Sequence, residues 1–296
     1  MIVTDGLVPP EFGLRFHPAL LPWERYLLRC SQRWFLCKDK TALGWYAAIL
    51  DVAPAALLAA KCKNIPASTK QCWVASPFHA QLGRDHVRVL PEGALPWTAD
   101  DAGWLCELLN PLLKEKGMKL FLAGAALLLV CDESLDAQPV SFALVSGKLL
   151  PDRHPQGTDG GHMMRLLSEI QMCLHQHPAE HRRSRGEPDI NGVWLWGASD
   201  FPVTMPQDAS AIATHNPFLQ SLGDAKSTDM IITESERIAE LLGPEMELPK
   251  HIILAGEERA VWLTKSWLPG LGKKSWQPNI SGAEEDLFGK IKVELQ

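Results

Sequence analysis

The chain lacks a paired cysteine pattern. Its seven cysteines, Cys30, Cys37, Cys62, Cys72, Cys106, Cys131 and Cys173, are odd in number and scattered through apolar surroundings without a CxxC spacing. That argues against a disulfide framework or a zinc site, and it reads as reduced, mostly buried thiols in a cytoplasm. A long hydrophobic run is also missing. Leu120 to Cys131, twelve residues, is the longest apolar stretch, well short of the roughly 20 residues of a spanning helix. The opening MIVTDGLVPPEFG has no basic region leading into an apolar core, so no secretory signal is expected. Nor is there an excess of positive charge. A net charge of -6 and a pI near 5.9 argue against sequence-independent nucleic-acid binding, which needs a basic surface to release counterions. Internal repeats and low-complexity segments are absent. A soluble cytoplasmic protein that binds no membrane is the expectation.

What is present is ordinary globular material: 296 residues, 46% hydrophobic and 22% charged, enough for one large or two ordinary domains. The stretch from Asp159 to Asp200 carries the strongest pattern. Met163, Leu166, Leu167, Ile170, Cys173 and Leu174 fall on one helical face, with Asp159 placed to cap the start and Pro178 to end it. A helix over 160–177 follows. Arg165 and Glu169, four apart on its outer flank, read as a surface ion pair, with a catalytic Glu169 as the other reading. Next comes a polar loop, His181 to Gly186. Its Arg182, Arg183 and Arg185 suit bidentate binding of phosphate or carboxylate, with Asn191 beside them, and also read as a solvated surface run. Ile190 to Gly197 then reads as an inner strand, with Trp194 and Trp196 packed in a core.

The run LLSEIQMCLHQHP, the Arg-rich turn, Gly186-Glu187-Pro188 and INGVWLWG resemble the signature of the RpfE-type bacterial regulatory protein family. That family is distantly similar to archaeal-type cofactor-independent phosphoglycerate mutases. The signature positions are Glu169, Gln171, His177, Pro178, Gly186, Trp194, Trp196 and Gly197. Weaker likeness extends through CWVASPFHAQLGRDHVRVLP, LPDRHPQGTDG and HNPFLQSLGDA, roughly two thirds of the chain in all. Two departures bear on phosphate handling: Ala179 follows Pro178 where the family has Asn, and Gly197-Ala198-Ser199 stands at its Gly-rich turn. The resemblance implies a non-catalytic regulator that acts through an unknown protein partner or a small phosphorylated ligand, with no cofactor and no metal. Its alternative is a metal-dependent, phosphoglycerate mutase-like phosphotransferase in which Asp5, before Gly6, is a metal ligand and not simply a turn residue. A second alternative is a nucleic-acid-binding regulator using Trp262, Trp267 and Trp276 beside Lys265, Lys273 and Lys274. The same tail also reads as packing against its own domain.

The rest supports an α/β class. The N-terminal half, 1–150, reads as helix-rich with short hairpins, and 151–296 as helices on a mixed sheet carrying the signature. Helices are expected over 22–37, over 41–63 as two pieces divided at Pro54, over 98–116 with a kink or restart at Pro111, and over 234–242. Strands are expected near 72–75, 87–90, 119–121, 126–130, 142–145, 230–232 and 251–254. His79, Arg84, Asp85 and His86 form a second polar group, read as a hairpin turn and alternatively as acid/base machinery. Cys173, His175, His177 and His181 imitate a metal cluster, but Pro178 breaks the helical spacing.

Overall fold

In the computed structural model, residues 2–5, 30–36, 43–44, 47, 52–84, 86–91, 94–150, 155–203, 212–214, 230–234, 251–255, 259–264 and 280–282 are described. The class is α/β, and the chain divides into two compact units. One joins Met1–Leu50 to Gln207–Gln296, and the other is Asp51–Pro206. The boundary drawn from sequence at 150/151 therefore falls inside the second unit. The prolines and glycine that interrupt periodicity there mark a connection between elements sharing one core.

The first unit is built on a seven-stranded mixed sheet in the order β13-β2-β12-β11-β1-β10-β9. Its strands are β1 (Ile2–Asp5), β2 (Ser31–Leu36), β9 (Ile212–Thr214), β10 (Met230–Glu234), β11 (His251–Ala255), β12 (Arg259–Thr264) and β13 (Ile280–Gly282). β1 runs parallel to both β10 and β11, so it is an inner parallel strand. β12 is antiparallel to β11 and β2. The mixed sheet expected of the C-terminal half thus takes two strands from the N-terminus. β2 replaces the 31–36 part of the helix expected over 22–37, where its full-length pairing with β12 overrides a weak local preference; residues 22–29 and 37 lie outside the described residues. Trp34, Val261, Trp262 and Leu263 are buried, and the Arg33 guanidinium lies 5.3 Å from the Trp262 ring centroid. Trp262 therefore packs within its domain; Trp267 and Trp276 lie outside the described residues, as does the helix expected over 234–242 apart from Glu234, which ends β10.

The second unit folds around a four-stranded antiparallel sheet, β6-β7-β3-β8. It comprises β3 (Gln71–Phe78), β6 (Met118–Ala123), β7 (Ala126–Cys131) and β8 (Gly192–Asp200), with a separate hairpin of β4 (Ala80–Leu82) and β5 (Val87–Val89). β3 and β7 are buried along their whole lengths, as continuous apolar runs covered on both faces are. Helix α1 (Pro54–Ala59) starts at the proline expected to divide a longer helix, which at the first helical turn loses no hydrogen bond. It packs on β3, β7 and β8. Helix α2 (Ala99–Lys114) packs on β6 and continues through Pro111 without a break. The Asn110 amide ties it to the Leu120 backbone, accepting at 2.7 Å and donating at 3.2 Å. Helix α3 (Gly160–Gln176) packs on β8 through Met163, Leu166, Leu167, Ile170 and Leu174, all buried. Full burial of such a side chain stabilises the fold by roughly 1.5–3 kcal/mol.

Three local expectations change. Asp159 does not cap α3; its carboxylate accepts from the Asp136 backbone instead. The strand expected over 142–145 is a 3-10 turn, Phe142–Leu144, whose first N–H groups include one bonded to Ser141 Oγ. The loop expected at 181–186 forms a short helix, α4 (Glu180–Ser184). No helix among the described residues is long and apolar enough to cross a membrane.

Candidate functional site

The geometry starts at the first turn of α2. Thr98 and Asp101 form a reciprocal capping box: Asp101 N–H donates to Thr98 Oγ1 at 3.3 Å, and Thr98 N–H donates to Asp101 Oδ2 at 2.9 Å. This satisfies helix-end donors that otherwise have no partner. Asp101 is fully buried, so its carboxylate needs counter-charge as well as caps. α4 supplies the charge through Arg182, whose Nη1 lies 2.9 Å from Oδ2, and adds a hydrogen bond between His181 Nε2 and Oδ1 at 2.8 Å.

Arg182 is itself wholly buried. Its Nε donates to Pro188 O at 2.9 Å and its Nη1 to Pro96 O at 2.8 Å, while Nη2 has no acceptor. Burial pushes the Asp101 carboxyl up, but hydrogen bonds from His181, Thr98 and Arg182 outweigh it and hold the group below its ordinary range. Arg183 meets Asp189 in a fork, with both bonds at 3.2 Å, and approaches Glu180 at 3.6 Å. Arg185 forks onto Glu187 at 2.9 and 2.8 Å and reaches Asp101 at 3.6 Å. The hydrogen bonds of these forks raise both guanidiniums, and that from Arg185 lowers Glu187. Three guanidiniums thus face four carboxylates: Asp101, Glu180, Glu187 and Asp189.

The other residues named from sequence are also occupied. Asn191 Oδ1 accepts from Ala80 N at 2.6 Å and Nδ2 donates to Ala80 O at 2.8 Å, so this amide fastens the β4 hairpin to β8. His79 Nδ1 sits 2.7 Å from Asp189 O on the same seam. Trp194 Nε1 donates to Val140 O and Trp196 Nε1 to Ser76 Oγ, both at 2.9 Å, as buried indoles require. Among the described residues β8 pairs on one side only, so it stands at the edge of the sheet and is not the inner strand expected. It is buried from Gly192 to Trp196 nonetheless, with helices packed on it. Gly192 leaves room for the Phe78 ring, which would collide with a Cβ there. Gly186 and Gly197 both have positive φ, and a Cβ at Gly197 would also meet Pro54 at 2.9 Å.

Glu169 pairs with Lys116 at 2.8 Å, so the partner expected at Arg165 is replaced by one from another element. Gln171 is half-buried, and His177 is the exposed residue that ends α3 before Pro178. Among the described residues no group of three His, Cys, Asp or Glu is placed to hold a metal. Asp85 lies outside them. Asp5 is the last residue of β1, in register with Glu234 of β10 and Ala255 of β11.

Asp101, the hub of the network, was not singled out by sequence reasoning, although T-x-x-D ahead of a helical pattern is a capping signal. Trp104 was missed too. It stands on the outer face of α2, where Asp100, Gly103, Glu107, His181 and Arg185 join it around a hollow of about 360 Å³.

No family model matches the chain, and no curated protein matches it. Among solved structures the chain is similar to the PH0037 protein from Pyrococcus horikoshii, with a TM-score of 0.42 and 9% identity over 90% of this chain and 87% of that one. A likeness at that level transfers no function.

Proposed function

We propose that this chain is a non-catalytic cytoplasmic regulatory protein of the RpfE type, related to the phosphoglycerate mutases, that acts through a protein partner. One observation carries the reading: the arginines of the signature stretch are committed to carboxylates of the same unit. A phosphate arriving at Arg183 or Arg185 has to displace a bidentate carboxylate, and Arg182 is out of reach of solvent. A signature spent on internal architecture suits a scaffold that presents a surface better than a pocket that captures a small anion. The acidic surplus around the arginines also weighs against a nucleic-acid backbone as ligand.

The test is a thermal-shift screen of phosphorylated metabolites, combined with an assay of 3-phosphoglycerate turnover in manganese or zinc. Neither a ligand-dependent shift nor turnover is expected. Turnover overturns the regulatory reading, and a shift that disappears when Arg182, Arg183 and Arg185 are all changed to Ala restores the anion-binding one.

A mutase-like phosphotransferase is the second reading, favoured by the place of Asp5. Ligands in open α/β sheets gather beyond the carboxyl ends of parallel strands, and Asp5 and Glu234 end adjacent parallel strands in register. On that reading Asp5 is a metal ligand, and a divalent cation bound there would polarise a phosphoryl oxygen. Stoichiometric metal in the purified chain, lost in Asp5→Ala, would support that reading; a metal-free chain after reconstitution counts against it.

A further inference from the structure

We infer that the outer face of α2 is a docking groove for an extended segment of a partner protein, with one arginine or lysine side chain seated in the hollow between Asp100, Trp104 and Glu107. The inference rests on the partner-acting reading above and names the chemistry of the contact. Four features carry it.

The first is charge. Asp100 and Glu107 are exposed and make no ion pair within 4 Å among the described residues, and the Asp100 charge interacts with the Arg185 guanidinium only at longer range. The basic groups at the same hollow are already engaged, Arg185 by Glu187 and Asp101, and His181 by Asp101. The charge left unneutralised is negative, so the complementary ligand is a cation. The arginine-rich turn, which in sequence suggests an anion site, thus borders a site of the opposite preference.

The second is the aromatic wall. Trp104 is half-buried, and its ring is held at 68° to that of His181 with centroids 5.9 Å apart. Tryptophan is the best of the aromatic partners for a guanidinium or ammonium, and two carboxylates beside it add direct salt-bridge acceptors.

The third is the opening. Gly103 lines the hollow, and a Cβ there would meet nothing within 4 Å. Glycine inside a helix is unfavourable relative to alanine, and here crowding gives no reason for it. Its missing side chain leaves the mouth between Asp100, Trp104 and Glu107 clear.

The fourth is length. Glu107 also lines a second hollow, of about 530 Å³, with Cys106, Asn110, Pro111 and Lys114. The two depressions run along one helix face and share a wall, so the occupant is elongated: basic at the Trp104 end, acidic or uncharged near Lys114. A stretch of polypeptide has that shape. A free polyamine shares only the cationic end.

The experiment uses the full chain labelled with 15N at tryptophan and alanine, cysteine and asparagine backbones, with the Trp104 indole signal assigned through Trp104→Phe. Three probes are titrated at low ionic strength: a short capped peptide with one arginine near its start and one aspartate near its end, the same peptide with citrulline for arginine, and spermidine. The arginine peptide is expected to move the Trp104 indole and the Cys106 and Asn110 amides in a saturable way, and the citrulline peptide to move none of them. Asp100→Asn with Glu107→Gln should weaken the response at least about tenfold. Gly103→Leu fills the hollow without opposing helix formation, and should abolish the response while circular dichroism is unchanged.

If spermidine moves the Trp104 indole as the peptide does and neither reaches Cys106 or Asn110, the peptide occupant is overturned. If no probe moves Trp104, or if Gly103→Leu binds as well as the unaltered chain, the site itself is overturned. Turnover of 3-phosphoglycerate would defeat the regulatory reading and leave this titration standing, so the two failures are distinguishable.

Discussion

Asp100 and Asp101 are the same residue type one step apart on α2, and their circumstances are opposite. At 3.6 residues per turn they point roughly 100° apart. That rotation carries Asp101 into complete burial against Thr98, His181 and Arg182, and leaves Asp100 in solvent beside Trp104. The inner carboxylate acts on the fold, because removing it leaves the buried guanidinium beside it short of counter-charge. The outer one is free to act on something else. A sequence annotates both as charge in a first helical turn; the angle between them decides which holds the molecule together.

The largest effect should come from breaking the inner side. Asp101→Asn keeps the shape but leaves the buried Arg182 guanidinium with only the more distant Glu187 carboxylate, 3.5 Å from Nη1, as counter-charge, which is expected to cost about 3–5 kcal/mol. Asp100→Asn should cost no more than about 1 kcal/mol, the helix-dipole contribution of an exposed first-turn carboxylate. Urea unfolding of both variants checks the pair. Similar losses would mean that burial does not separate the two residues.

Acid should erode the same contrast. The Asp101 carboxyl lies below its ordinary value of 3.8 in the folded chain, because the hydrogen bonds from His181, Thr98 and Arg182 outweigh the opposing burial. A depressed carboxyl contributes stability that is fully present above the unfolded value and lost as pH falls through the folded one. The gap in unfolding free energy between the unaltered chain and Asp101→Asn is therefore expected to narrow as the pH falls below 3.8. A gap that widened in acid would reverse the sign assigned to Asp101.

Elements with strong local periodicity were legible in the sequence. The buried face of α3, the β6–β7 hairpin around Gly124 and the stop at Gly117, whose φ is +66°, all follow from spacing and glycine. The Trp strand was legible as core but not as an edge, since pairing partners leave no local mark. Counter-charges were the larger omission. Arg182 and His181 advertise themselves within one turn, while Asp101 sits some 80 positions earlier. Charge runs read without their partners look available to ligands even when they are spent. The division into units was hidden for the same reason: β1 finds its neighbours β10 and β11 more than 200 residues away.

The smallest expected effect sharpens the comparison most. Gly103 lies in the interior of α2, where replacing glycine by alanine ordinarily stabilises by about 0.5–1 kcal/mol. Its surroundings raise no objection, because a Cβ there would have no neighbour within 4 Å. Gly103→Ala should therefore raise the unfolding free energy by that amount, read from the denaturant midpoint with an unchanged slope. If it does, glycine at this position gives up stability that the fold has no use for, and the reason has to lie in what approaches the outer face. If stability falls instead, the position is constrained from within, and the openness of the hollow is a by-product of packing.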